Sequence, residues 1–191
     1  MSRITMMEHV AHRLVDAARQ GDIRAVRLAL RRMPRQTGGS AFQKEALRQA
    51  VKHDQLGVTL ELLNHGVNAN MTDAYGWSPL IEFAAKGNSL GAQALLQHGA
   101  DVQTRSPDGW TSLHWAAANG HQEVVDVLCK HGAHVGAVDA AGLTPAAVAR
   151  RSGHFDVAAV LRDTPKPTPV PMPSPGRRRP RKDAAPSPMF A

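Results

Sequence analysis

Ten histidines and a single cysteine, Cys129, are the residues of this 191-residue chain with the widest chemical range. Imidazole and thiolate are standard zinc ligands, and imidazole is the usual acid or base near neutral pH. The spacing argues against both uses. His65, His98 and His131 lie 33 residues apart, and so do His121 and His154. His9/His12 and His131/His134 are i,i+3 pairs with no further ligand beside them. One cysteine makes neither an intrachain disulfide nor a cysteine-based zinc cluster. No glycine-rich phosphate loop, nucleophile elbow or His-Glu-x-x-His motif occurs. The expectation is an enzyme-free chain: no catalytic residue, no cofactor, no metal.

Charge is the next chemistry to place. Lys and Arg number 23 against 16 Asp and Glu, a formal +7. Such a balance suggests a polyanionic partner only if the charges sit on the folded part. Residues 1–35 hold 8 basic and 3 acidic side chains, and residues 164–191 hold 6 and 1. The middle, 36–163, holds 9 and 12 and is mildly acidic. The basic excess therefore belongs to the ends, including the cluster Arg177, Arg178, Arg179, Arg181 and Lys182. Nine of the 13 prolines also fall in 164–191, alternating from Pro165 to Pro175. That pattern forbids helix and favours extended, solvated backbone, so a disordered tail is expected there. Its basic cluster suits an import receptor or weak polyanion contact. Thr164, Thr168, Ser174 and Ser187 each precede a proline and fit proline-directed phosphorylation.

The elements that carry these residues repeat. Gly76, Gly109 and Gly142 are 33 apart, each inside a turn-like stretch (Asp73–Leu80, Pro107–His114, Asp139–Ala146). A second series runs Gly21, Asp54, Gly87, Gly120, Gly153, and a third runs Gly66, Gly99, Gly132. Ser78, Thr111 and Thr144 are good helix N-caps, and Pro79 and Pro145 fit the first helical position. Leu60, Leu62 and Leu63, then Leu95 and Leu96, then Val124, Val125, Val127 and Leu128 fall at helical spacings. Ala84, Ala116, Ala117 and Ala149 leave room for close helix packing. Cys129 aligns with Leu63 and Leu96 and is expected as a buried, inert thiol.

This wording resembles the ankyrin-repeat family over about residues 10–163. The best match runs from Gly109, Trp110, Thr111, Ser112, Leu113 and His114 to Gly120 and His121. Ser112 departs from the motif proline, and Ile81 and Ala147 from its histidine. The unit that includes Lys44 keeps only the apolar spacing, and the first unit reads as a cap. The resemblance implies an all-α ankyrin-repeat solenoid of about five units, each a β-turn plus two antiparallel helices. The expected divisions are an extension, 1–9; units at about 10–39, 40–72, 73–105, 106–138 and 139–163; and the tail, 164–191. Stacking would put the repeated histidines roughly 10 Å apart, too far to share a metal bound at about 2 Å. His114 is expected to hydrogen-bond the neighbouring turn. Arg24, Arg27 and Arg31 read as the polar face of a capping unit.

Ankyrin repeats imply protein binding on a concave face. All three tryptophans and the one tyrosine fall in units three and four: Tyr75, Trp77, Trp110 and Trp115. Clustered aromatics are the chemistry of a binding hot spot, and their competing use is to stiffen the stack. Glu82, Lys86, Asp108, Asn119, Leu143 and Arg151 are expected on the same face, with mixed chemistry. The leading expectation is a monomeric, non-enzymatic adaptor for one partner protein. A nuclear regulator using its basic tail on nucleic acid or an import receptor is the second reading. A regulatory subunit clamped on an enzyme is the third. No apolar run approaches the ~18 residues of a membrane span. The expected location is cytoplasmic or nuclear, or that of a secreted effector if bacterial.

Overall fold

The computed structural model describes residues 3–33, 41–73 and 75–163. Among the described residues ten helices follow one another: α1 (Arg3–Gln20), α2 (Ile23–Arg32), α3 (Ala41–Lys52), α4 (Leu56–Asn64), α5 (Pro79–Lys86), α6 (Ser89–Gln97), α7 (Ser112–Ala118), α8 (Gln122–Lys130), α9 (Pro145–Arg151) and α10 (Phe155–Asp163). Among the described residues no strand forms, and one antiparallel bridge joins Arg105 to Thr111. α1 runs through the stretch expected as an N-terminal extension.

Each odd helix packs on the next odd one, making an inner layer from α1 to α9. The even helices α2, α4, α6 and α8 form an outer layer in the same way, and α10 packs on α9. Two leucine ladders hold the layers together. Leu14, Leu47, Leu80 and Leu113 are buried at 33-residue intervals on the inner helices. Leu62, Leu95, Leu128 and Leu161 repeat the interval on the outer ones. No unit buries its ladder alone, so the stack is stable only as a stack.

The local signals act where the sequence placed them. Ser78, Thr111 and Thr144 accept hydrogen bonds from the N–H groups of Ile81, His114 and Ala147. Each such cap contributes about 1 kcal/mol. Asp54, at the register of the glycine series, is the one described non-glycine residue with positive φ, 59°. Aspartate tolerates that region better than most side chains, and its carboxylate accepts a hydrogen bond from Asn88 of the next unit.

Gly120 shows why the series is otherwise glycine. It has φ of +73°, and a Cβ there would lie 2.4 Å from Nδ1 of His154. Gly132, φ +84°, would meet nothing within 4 Å. Gly132→Ala should therefore cost only the left-handed penalty, about 1 kcal/mol. Gly120→Ala adds the displacement of the ring and should cost about 2 kcal/mol or more. Urea unfolding of the two variants checks the order; equal costs would refute the close approach.

One expectation is extended and one corrected. Arg27 does not simply face solvent: its guanidinium holds Glu61 of α4 by two bonds, 2.8 and 3.0 Å. That bond, and the charge behind it, holds the Glu61 carboxyl below its usual range. The arginine that keeps the cap polar also ties it to the next unit. Cys129 is half-buried rather than buried, packed against the core. Burial, aided by the Asp126 charge, pushes its thiol up, so it stays protonated and poorly nucleophilic.

Candidate partner-binding face

Three turns of one construction precede α5, α7 and α9. Their first residues are Asp73, Ser106 and Asp139. The N–H of each donates to the carbonyl four residues on (Trp77, Trp110, Leu143), and its own carbonyl accepts from Gly76, Gly109 or Gly142. Its side-chain oxygen accepts the N–H of that same fourth residue. A short polar side chain at the turn's start therefore fixes where Trp77 and Trp110 stand.

The three tryptophans form one strip. Trp115, on α7, lies between the other two, with ring centroids 4.8 Å from Trp77 and 4.7 Å from Trp110. Tilted indoles at this separation attract by more than their buried area. All three are half-buried. The Trp115 N–H is enclosed and finds no hydrogen-bond partner among the described residues. The Trp110 N–H donates to Asp139 Oδ2 at 3.0 Å, bridging turn to turn. The backbone N–H of Leu143, then that of Ala141 and this indole, hold the Asp139 carboxyl below its ordinary range. Trp115 is thus clamped between Trp77 and Trp110, which ties the turns of units three and four to α7.

Tyr75 is 76% exposed. Beside it a groove of about 520 Å³ opens between α3 and the turn leading to α5. Val51, Met71, Trp77 and Pro79 give it an apolar lining, and Lys44, Arg48, Lys52, Glu45, Asp73 and Glu82 a charged one, three basic and three acidic. The α3 side of this groove was not expected from the sequence. Its unit lacks the repeat wording.

The other expected face residues are placed as follows. Lys86 Nζ lies 3.1 Å from Glu82 and donates to the carbonyls of Val51 and Lys52 at the end of α3. Asn119, one register later, donates to the carbonyls of Ala85 and Trp115. These two side chains join successive units. Asp108 and Arg151 are exposed, and Leu143 is half-buried. The rings of His65, His98, His114, His121 and His131 bond to backbone. Nδ1 of His65, His98 and His131 each meets the carbonyl four residues back, at 2.8–2.9 Å. His114 Nε2 lies 3.1 Å from the carbonyl of Leu143 in the neighbouring turn, as its motif position implied. Arg177, Arg178, Arg179, Arg181 and Lys182, the disorder expected around them and the Ser/Thr-Pro sites lie outside the described residues. No group of three metal-capable side chains occurs among the described residues, and no helix there is long and apolar enough to cross a membrane.

Paired helices at a 33-residue register, joined through capped turns, define an ankyrin stack. The family model for ankyrin repeats (three copies) matches residues 14–106 and 84–168, so the chain belongs to the ankyrin-repeat family. No curated protein matches its sequence. Ankyrin repeats are in general protein-interaction modules, and the family is typically non-enzymatic.

Proposed function

We propose that this chain is a scaffold or adaptor that holds a partner protein on the face made by its turns and inner helices, with Tyr75, Trp77 and Trp110 as anchors. One observation carries the reading: a continuous three-indole strip leads to an exposed tyrosine beside a 520 Å³ groove. A large aromatic held out in solvent contributes little to folding and much to a desolvated interface. The mixed charge around it favours shape complementarity over charge steering.

Tyr75→Ala is the cleanest probe, because the ring is mostly in solvent. Stability should change by less than about 0.5 kcal/mol, while partner recovery after cross-linking in cells should fall about ten-fold or more. Trp77→Ala/Trp110→Ala should abolish recovery, with its fold checked by circular dichroism. Wild-type recovery by both variants would sink the reading.

A further inference from the structure

We infer that the exposed face of α2, the open end of the outer layer, docks an acidic helix of a partner protein in the place that a preceding outer helix would fill. This surface is separate from the turns and the groove, so the inference goes beyond the scaffold reading and does not rest on it.

The outer helices meet at fixed positions. A Cβ on Gly57 would lie 2.6 Å from Ile23 Cδ1. Glu61 holds Arg27, Glu123 accepts from Ser89 at 3.0 Å, and His98 Nε2 lies 3.1 Å from Asn64 Oδ1. In each pair the later residue stands 34 positions on. Gly57, Glu61 and His98 therefore mark the side of an outer helix that looks back along the stack. Moved back by whole repeats of 33, these positions are Arg24, Leu28 and Arg32 on α2. No outer helix precedes α2 among the described residues. All three side chains are exposed, Leu28 by 52%.

The charge on this face has one sign. α2 carries Arg24, Arg27, Arg31 and Arg32, all exposed, and no carboxylate. Glu61 neutralises Arg27 and spends both of its oxygens doing so. Arg24, Arg31 and Arg32 have no ion pair among the described residues. The nearby acids are engaged: Asp16 pairs with Arg19, and Asp22 caps α2. Outside the described residues the only acidic side chain is Asp183. The carboxylates that complement three free guanidiniums therefore come from another molecule.

Three features select a helix as the carrier. Residues 1–43 hold eight arginines and no lysine, and the guanidinium fork grips a carboxylate by two bonds at once. Arg27 and Glu61 already join two outer helices by that very pair. Arg24 and Arg32 stand about 12 Å apart along the axis, which is the separation of positions i and i+8 on a parallel helix. Between them Leu28 offers an apolar contact at i+4. A phosphate backbone has no use for that leucine, and specific nucleic-acid binding commonly engages roughly 6–10 phosphates. The occupant thus presents an acid, an apolar residue and an acid at i, i+4 and i+8, as an outer helix of the stack would.

The probe is a fluorescent, stapled helix of about 15 residues with glutamate at i and i+8 and leucine at i+4, titrated with the full chain. It should bind, and Arg24→Gln/Arg32→Gln should weaken binding about ten-fold, the loss of two exposed ion pairs. Glutamine is nearly as good a helix former as arginine, so the variant keeps its fold, which circular dichroism verifies. Leu28→Gln should weaken binding several-fold, and Tyr75→Ala should leave it unchanged. Amide shifts in nuclear magnetic resonance should centre on α2. No measurable binding, or unchanged affinity in the double arginine variant, would overturn the inference. So would equal binding of the same helix with lysine in place of glutamate, or shifts centred on Tyr75 and Trp77. A single-stranded DNA of equal charge that binds more tightly than the helix would also overturn it, and would make this a phosphate-binding face. The titration needs no cellular partner, so its failure leaves the scaffold reading untouched. Wild-type partner capture by the Tyr75 and tryptophan variants would remove that reading and leave this one standing.

Discussion

Phe83→Ala should destabilise the protein by about 3–5 kcal/mol, the cost of emptying a closed aromatic site, and lower its melting point by roughly 10 °C. Phe83 is fully buried on α5, and it breaks a rule that units two, four and five keep. At its register stand Ala50, Ala116 and Ala149, all buried. The outer-helix partner position reads Val58, Val124 and Val157, but Gly91 in this unit. A Cβ on Gly91 would lie 2.7 Å from the Phe83 ring. Unit three has therefore exchanged a small-inner, large-outer pair for a large-inner, minimal-outer one. The swap yields a testable coupling. Gly91→Val alone should cost about 1–3 kcal/mol by overpacking. Phe83→Ala/Gly91→Val should be more stable than Phe83→Ala by at least about 1 kcal/mol, because it restores the pair used elsewhere. Urea unfolding of the four proteins closes the cycle. Strict additivity would mean the two sites do not share one space.

That exchange marks the boundary of what the sequence conveys. A solenoid contacts itself only through neighbouring units, so reading at i, i+33 recovers the ladders, the caps and the turns. Ser78, Thr111 and Thr144 announce their helices because capping is local chemistry. Phe83 and Gly91 are hidden because each looks like a tolerated variation until the two are set side by side. Bonds between units are hidden for another reason. Arg27 to Glu61, Trp110 to Asp139 and Asn119 to Ala85 depend on side-chain rotamers across a gap that no periodicity encodes. The tryptophan cluster was legible as composition, since three indoles and one tyrosine fall in two adjacent units. The clamp on Trp115 was not, because it needs the turns in place. Nor was the α3 wall of the groove, whose Glu45 and Arg48 belong to the unit with the weakest wording.

His114 is where the repeat motif and the acid–base behaviour of the fold meet. Its ring is buried. Nδ1 accepts from the Thr111 N–H at 3.1 Å while Thr111 caps the His114 N–H, a reciprocal capping box. Since Nδ1 accepts, the proton sits on Nε2, which donates to the carbonyl of Leu143 in the next turn. Removing the ring strands the Thr111 N–H, leaves the Leu143 carbonyl with only the Asp139 N–H, and opens a void, so His114→Ala should cost about 3 kcal/mol. The same geometry sets a pH dependence. Burial first, and Arg105 after it, lower the imidazole below its ordinary value against the opposing pull of the Leu143 carbonyl and Asp139. A folded-state value below the unfolded one means that the neutral ring's contribution is complete above about pH 6.5. It is then lost as pH falls toward the folded value. Between pH 7.5 and 5.5 the stability gap between wild type and His114→Ala should narrow, with the other nine histidines common to both. By nuclear magnetic resonance His114 should still be neutral at a pH where a histidine in an unfolded peptide has taken its proton. A gap that stays constant with pH, or a ring that titrates at the unfolded-peptide value, would show that the Thr111–His114–Leu143 chain does not hold the neutral form. Protonation there would break the cap of α7 and its tie to the turn before α9 together. Acid would then loosen the stack from the Trp110–Trp115 side, on the face proposed to hold a partner.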